Sequence, residues 1–179
     1  MNTGKISARY TSALYSIAKE KGETESVYSQ MHALSEAFFK TEGLSVAMSN
    51  PMYTDEQKTN LLKTAIGNGL TDTMKTFIHF VAEKERLEFM PFMAMMYQEI
   101  YRKDNDIILG KVTTANQMGK ETLDNLRNKI EQKTGKRVIL HDEQNEDLIG
   151  GFILELNNLR YDASIKTSLD QIKNKLTGR

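Results

Sequence analysis

The stretch LIGGFILELNNLRYDASIKTSL, which covers Leu148–Leu169, decides how the end of the chain folds. Its apolar run Ile149–Leu156 is short and is followed at once by turn residues, which predicts a strand. Gly150 and Gly151 stand at the start of that strand, where glycines indicate a bulge or a close approach of another backbone segment. We therefore expect this end of the chain to be built around a bent strand.

Turn and cap residues follow the strand. Asn157-Asn158 favours the positive φ angles of a tight hairpin turn, so Leu159–Tyr161 is predicted to return as the second arm. Asp162 and Ser164 carry side chains that accept hydrogen bonds from the first amides of a helix, and we expect them to cap a final helix. The apolar stripe of that helix is Ile165, Leu169, Ile172 and Leu176.

The sequence upstream of this stretch completes a small mixed module. Asp106–Thr114 has the β-rich pattern of a strand, and a helical stripe follows it and ends at Gly135. Val138–Leu140 predicts a short apolar strand, and Asp142–Asp147 is expected to be an acidic loop. Residues 105–179 are therefore predicted to form a small α+β module.

Residues 1–104 show helical periodicity throughout. Gly22, the Asn50-Pro51 pair and Gly67 separate the helices, and Thr54 with Gln57 matches the capping box that opens one of them. About six helices joined by short loops predict an all-α six-helix bundle in this part of the chain. The predicted fold class is thus an all-α N-terminal six-helix bundle followed by a small α+β C-terminal module.

Charged residues separate the fifth helix from the sixth. We interpret Glu83–Arg86, in which acidic and basic residues alternate, as a solvated helix end. The next helix is expected to run from near Glu88 to Lys103, and Pro91 is tolerable only in its first turn.

Composition limits the classes of function. Hydrophobic residues make up 39% of the chain and charged residues 27%, which suits a globular protein that buries a core. The absence of cysteine excludes disulfides, thiolate metal ligands and cysteine nucleophiles. The net charge of zero argues against general nucleic-acid binding. No apolar run approaches the ~20 residues that span a bilayer, and MNTGKISARY lacks a signal-peptide core, so we expect membrane contact only through partners.

No group of residues in the sequence points to catalysis. His32, His79 and His141 lie on three different predicted elements, without the spacing of a metal site. Gly150-Gly151 lacks the surrounding pattern of a phosphate-binding loop, and Ser164 lacks the glycines that flank a nucleophilic serine elbow. We therefore expect no catalytic residue, no cofactor and no metal.

Two interpretations remain open from the residues alone. The helical stripes could leave a groove that accepts an amphipathic helix of a partner protein. Alternatively, the basic C-terminal helix could contact RNA or an anionic surface. Its cations are Lys166, Lys173, Lys175 and Arg179. No aromatic residue interleaves with these cations, so a solvated face is favoured over a nucleic-acid site.

Several motifs occur in an order that is similar to one family. They are Ala8-Arg9-Tyr10 with Ala13-Leu14-Tyr15, then Asn50-Pro51 with Lys58 and Leu62, then Phe77-Ile78 with Glu83-Lys84 and Arg86-Leu87, then Lys111-Val112, and finally Leu148-Ile149-Gly150-Gly151 with Tyr161-Asp162-Ala163-Ser164. The chain resembles the δ subunit of bacterial rotary F-type ATP synthases, the counterpart of the mitochondrial oligomycin-sensitivity-conferring protein. The last block is the most specific, and the similarity runs along the whole chain.

The resemblance implies a non-catalytic stator subunit, held by its partners at the cytoplasmic face of the bacterial inner membrane. The helical bundle would bind the N-terminal helix of an α subunit, mostly through its first and fifth helices. The C-terminal module would bind the b subunits of the peripheral stalk, so that the catalytic head resists rotor torque.

Candidate residues follow from this implied arrangement. We predict that the α-subunit contact includes Tyr10, Ala13, Leu14, Ile17, Met74, Phe77, Ile78 and Val81. For the stalk contact we predict Leu156, Leu159, Ile165, Leu169 and Ile172. Gly150, Gly151, Asp162 and Ser164 are expected to shape the module without taking part in any reaction.

Overall fold

The computed structural model of the chain describes residues 3–67, 69–157, 159–167 and 169. These residues are mostly helical, with a four-stranded mixed sheet towards the C-terminal end. Contacts divide the chain into two compact units, Met1–Asp104 and Asn105–Arg179. A helical part followed by an α+β part agrees with the predicted fold class.

The first unit is built from α-helices and one 3-10 turn. Its elements are α1 (Thr3–Glu20), α2 (Thr24–Lys40), α3 (Glu42–Ser49), α4 (Asp55–Ile66), α5 (Asp72–Glu83), the 3-10 turn Leu87–Phe89, and α6 (Met90–Asp104). Pro91 lies in the first turn of α6, as predicted, because its missing N–H is not needed there. The helix itself begins two residues later than Glu88, after the 3-10 turn.

Local sequence signals set where these helices begin. Thr54 Oγ1 accepts a hydrogen bond from the Gln57 N–H, and Gln57 Oε1 accepts one from the Thr54 N–H, at 3.2 and 2.9 Å. This is the predicted capping box, and it satisfies two amide donors that a helix start otherwise leaves open. Thr71 caps α5 in the simpler way, through a 3.2 Å bond from the Met74 N–H.

Each of the helices α1–α6 contributes to the core of the first unit. Its fully buried large side chains are Leu14, Val27, Met31, Leu34, Met48, Leu62, Met74, Ile78, Val81, Met90, Met93 and Tyr97. Burying a side chain of this kind contributes roughly 1.5–3 kcal/mol to stability. The buried Tyr97 hydroxyl donates to the Thr24 carbonyl at 3.2 Å, and burial raises the pKa of Tyr97. Five of the ten methionines therefore act as core residues.

The C-terminal end of α6 is tied to α1. Asp104 accepts hydrogen bonds from the Tyr15 hydroxyl and the Lys19 ammonium, each at 2.7 Å. The Lys19 bond is the larger cause, and the Tyr15 bond the second, of the lowered pKa of Asp104. These contacts fix the last residue of the first unit, from which the chain continues into the second.

The described part of the second unit contains a four-stranded sheet, in which the second, first, third and fourth strands of the chain lie side by side in that order, and a long helix that packs against the sheet. Its elements are β1 (Ile107–Thr114), α7 (Lys120–Thr134), β2 (Arg137–Gln144), a 3-10 turn (Glu146–Leu148), β3 (Phe152–Leu156) and β4 (Leu159–Asp162). β1 and β2 are parallel and are connected through α7, whereas β3 pairs antiparallel with both β1 and β4. Ile130 of α7 and Val138 of β2 are both buried where the helix meets the sheet.

Strand β2 is longer than predicted, and the predicted acidic loop Asp142–Asp147 is wrong in its first half. Residues 142–144 continue the strand and pair with the end of β1, up to Thr114 opposite Gln144. β2 lies at the edge of the sheet, where charged side chains remain solvated. Glu143 also forms an ion pair with Lys111 of β1, the first cause of the raised pKa of Lys111. The apolar pattern of β2 ends at Leu140, but pairing with β1, about 30 residues earlier in the sequence, extends the strand to Gln144.

Strand β3 begins three residues later than predicted, at Phe152 instead of Ile149. Ile149 and Gly151 have φ angles of 63° and 76°, so the chain bends sharply before the strand. Gly151 also lies against the backbone of residues 163 and 164, where an added Cβ would collide with the Ala163 carbonyl oxygen. The predicted close backbone approach is therefore confirmed, and it occupies the bend before the strand.

Candidate partner-binding sites

A groove between α1 and α5 forms a concave apolar surface on the first unit. It has a volume of about 570 Å³. We call it the α1–α5 groove, and its lining residues are Arg9, Tyr10, Ala13, Leu14, Ile17, Lys21, Thr73, Thr76, Phe77, Phe80 and Arg86. On α5 the members recur at positions 73, 76, 77 and 80, which is the spacing of one helix face. The groove is thus formed by two facing helical stripes.

Five of the eight residues predicted for the α-subunit contact line this groove: Tyr10, Ala13, Leu14, Ile17 and Phe77. They divide into a floor and a rim. Leu14 and Phe77 are buried and form the floor, whereas Ala13 and Ile17 are exposed and form part of the rim. An apolar side chain that enters the groove would therefore contact both the buried floor and the exposed rim.

The other three predicted residues, Met74, Ile78 and Val81, do not belong to the groove. Each is fully buried in the helical core, with no exposed surface to offer a partner. The prediction took the whole apolar stripe of α5 as one face. In the structure the centre of that stripe packs inward, and only its edge faces the groove, because a helix inside a bundle buries a wide apolar arc.

Phe80 and Arg86 are the main groove residues that the sequence-based prediction missed. Phe80 is 45% exposed, and its ring centroid lies 5.6 Å from that of Tyr10. The Arg86 guanidinium donates to the Tyr10 hydroxyl at 2.9 Å and lies 5.3 Å from the centre of that ring. The interpretation of residues 83–86 as a solvated end is therefore wrong for Arg86. The signal that was available is the spacing of Phe80, three residues after Phe77.

The groove has an apolar middle and basic residues at its rim. Its lining includes Arg9, Lys21 and Arg86 and contains no acidic residue. A surface of this kind suits an amphipathic helix, which places its apolar face in the groove and its polar residues at the edge. Opposite charges at the rim of such a contact set its orientation and register.

The second unit exposes apolar side chains around the β3–β4 hairpin. Leu159 is 77% exposed, and Tyr161, which was not predicted, is 63% exposed. Leu156 is half-buried and pairs across the hairpin with Leu159. Asn157 has a φ of 48°, as a tight turn requires, while Asn158 lies outside the described residues.

Ile165 and Leu169 are also exposed, at 47% and 51%. Ile165 lies beside Gly150, whose carbonyl accepts the Ile165 N–H at 3.0 Å, at the opposite end of β3 from the hairpin turn. Strand rise separates these two ends by roughly 10 Å or more. The predicted stalk residues thus form two patches in the structure, and Ile172 lies outside the described residues.

Asp162 and Ser164 act as caps, as predicted. Ser164 Oγ accepts from the Thr167 N–H at 3.2 Å, and an Asp162 carboxylate oxygen accepts from the Ser164 N–H at 2.9 Å. Bonds from the backbone and side chain of Ser164 are the first causes of the lowered pKa of Asp162. Both side chains therefore serve the local backbone, and the helical residues that follow, 165–167 and 169, are fixed to the start of β3.

Among the described residues, no group of three or more histidines or carboxylates could hold a metal ion. Within the same residues, no helix is long and apolar enough to cross a membrane. Of the cations proposed for an RNA or anionic surface, Lys173, Lys175 and Arg179 fall outside the part of the chain that the structure describes.

Comparisons with known proteins agree with one another. Residues 6–176 match the family of the ATP synthase delta (OSCP) subunit. ATP synthase subunit delta of Phocaeicola vulgatus is 34% identical over 174 residues, which cover 97% of this chain and 94% of that protein. The same subunit of Carboxydothermus hydrogenoformans is 28% identical over 178 residues, covering 99% and 100%.

A solved structure has the same fold. It is a chain in the cryo-EM structure of the Toxoplasma gondii mitochondrial ATP synthase hexamer, with a TM-score of 0.70 and 19% identity. The similarity covers 96% of this chain and 97% of that one.

Proposed function

The chain belongs to the ATP synthase delta (OSCP) subunit family, and on that premise we propose that it links the catalytic head of an F-type ATP synthase to the peripheral stalk. It is a structural subunit of the complex and has no catalytic role of its own. In this arrangement the six-helix bundle binds the N-terminal helix of an α subunit, and the C-terminal module binds the b subunits. The subunit sits at the cytoplasmic face of the bacterial inner membrane, held there by these partners.

The single observation that supports the head contact is the α1–α5 groove. Its apolar floor and exposed aromatic rim offer the surface that an amphipathic helix requires, and the groove uses the two helices that the resemblance implicates. A tether that resists torque needs buried apolar contact for strength and charges at the rim for register. The groove supplies both features.

The stalk contact rests on the exposed side chains of the second unit. Leu159 and Tyr161 near the hairpin, and Ile165 at the other end of β3, are large apolar groups on a small domain. A single exposed apolar side chain is ordinary, but a cluster of large ones on the surface usually marks an interaction site. We infer that the b subunits cover one or both patches.

Calorimetry of the full chain with a synthetic peptide of the α-subunit N-terminus tests the head contact. Phe80→Asp places a charge on the groove rim, and we expect the peptide affinity to fall by at least about thirtyfold, corresponding to the ~2 kcal/mol of a contact that dominates an interface. Phe39→Asp is the matched control, because Phe39 is 87% exposed and lies outside the groove. Equal affinity of wild type and Phe80→Asp would place the contact elsewhere.

A further inference from the structure

One end of the α1–α5 groove holds a buried hydroxyl without a partner. Thr73 lines the groove and is 3% exposed. Its Oγ1 makes no hydrogen bond with any described residue. The neighbouring Thr76 hydroxyl, in contrast, donates to the Asp72 carbonyl at 2.9 Å. Native proteins leave few buried polar atoms unsatisfied, so each one calls for an explanation.

The surroundings of Thr73 are rich in donors. Thr73 is the second residue of α5, and the first amides of a helix lack acceptors within it. The Thr71 side chain takes the Met74 N–H, which leaves the two earlier amides without an intrahelical acceptor. Lys21 lines the same groove and makes no ion pair within the described ranges.

One carboxylate also lies at this end. Asp72 precedes Thr73 and accepts a 2.9 Å bond from Lys75, the first cause of its lowered pKa, to which the charge of Lys21 adds last. Asp72 is highly exposed and does not line the groove. This helix end therefore has, among the groove-lining residues, a threonine whose buried hydroxyl is unused and a lysine, and no acidic residue.

We propose that the helix which occupies the groove carries a carboxylate at the edge of its apolar stripe, and that this carboxylate accepts hydrogen bonds from Thr73 Oγ1 and the Lys21 ammonium. This inference rests on the proposed function and adds the chemistry by which the groove selects its helix and sets its register. A free anion is a poor match, because the adjoining lining is apolar: Ala13, Leu14, Ile17, Phe77 and Phe80. An acidic residue next to an apolar stripe satisfies both parts of the surface.

Thr73→Val in the full chain is the most direct test, because it removes the hydroxyl and keeps the side-chain shape. The free variant should have a Tm at least equal to that of wild type, since an unsatisfied buried group is lost. Its affinity for the α-subunit N-terminal peptide should fall about tenfold or more, the order expected when a hydrogen bond to a charged group is removed. Stability and affinity thus move in opposite directions.

Thr11→Val is the matched control. Thr11 is fully buried on α1 with an unpartnered Oγ1, but it does not line the groove. We expect this variant to keep or raise the Tm in the same way and to bind the peptide as wild type does. A loss of affinity in Thr73→Val alone therefore reports on the groove hydroxyl.

The peptide provides an independent arm that needs no protein variant. Each Glu or Asp of the peptide is replaced in turn by Gln or Asn, and one replacement should weaken binding to wild type about tenfold. The same replacement should weaken binding to Lys21→Gln less, because that variant offers the carboxylate only the Thr73 hydroxyl. Two results would overturn the inference: Thr73→Val binds the peptide within twofold of wild type, or no position of the peptide series is sensitive to replacement. Either result would leave the proposed function standing. Absence of binding by wild type would remove both.

Discussion

Replacing Gly151 with alanine should destabilise the second unit more than any other single-methyl change at a glycine in this chain. Gly151 has a φ of 76°, which costs an L-residue about 1–2 kcal/mol. A Cβ at this position would also lie 3.0 Å from Ser164 Cα and 3.2 Å from the Ala163 carbonyl carbon, and closer still to the carbonyl oxygen. These are backbone atoms, which cannot turn away as a side chain does. Forcing such a contact costs about 1–3 kcal/mol, so we expect a total of about 2–5 kcal/mol.

Gly135→Ala separates the two contributions. Gly135 ends α7 with a φ of 67°, but no heavy atom lies within 4 Å of an added Cβ. This variant therefore carries the strain of the backbone conformation alone, about 1–2 kcal/mol. The difference between the two variants measures the close approach of the two backbone segments.

Hydrogen–deuterium exchange with mass spectrometry is the suitable assay, because it reports on each unit separately. Amides of β1 and β3 should lose more protection in Gly151→Ala than in Gly135→Ala, by the equivalent of about 1–3 kcal/mol, while amides of α1–α6 serve as the internal reference. Equal losses in the two variants would show that the contact of Gly151 with residues 163 and 164 has no energetic role.

Two further predictions concern helix starts. Asp162→Asn should flatten the acid side of the stability profile. A lowered carboxylate pKa gives stability that is complete above its ordinary value of about 4 and is lost as the pH falls through the lowered pKa, so chemical denaturation across this range should show a smaller loss in the variant than in wild type. Thr54→Ala removes the hydroxyl that accepts the Gln57 N–H, while the backbone N–H of residue 54 can still donate to Gln57, and it should cost about 1 kcal/mol in thermal unfolding. Thr64→Ala, which removes only a bond to the Asn60 carbonyl within the same helix, should cost far less; similar losses would mean that the box has no special effect.

The parts of the fold that depend on a few neighbouring residues could be predicted from the sequence. The Thr54 capping box, the caps at Asp162 and Ser164, and the hairpin turn beginning at Asn157 all involve groups within about five residues of one another. The geometry of such motifs is encoded in adjacent side chains, and long-range packing changes it little.

The parts that depend on distant partners could not be predicted in the same way. The end of β2 is polar and becomes a strand through pairing with β1, and Arg86 is half-buried because Tyr10, 76 residues earlier, accepts its hydrogen bond. On α5, hydrophobicity alone does not tell which residues of an apolar stripe face the core. Met74 is buried in the core, whereas Phe80 faces the groove. This difference depends on where α1 packs, and the sequence of α5 alone does not specify that position.

The central claim is that this chain joins the catalytic head to the stalk through separate surfaces, and co-purification of the tagged full chain from its own cells tests it most directly. Wild type should retain the large α and β subunits together with the stalk b subunits. Phe80→Asp should lose the head subunits and keep the stalk, because only the groove is changed. Wild type that retains neither set, or Phe80→Asp that retains the head as fully as wild type, would contradict the account.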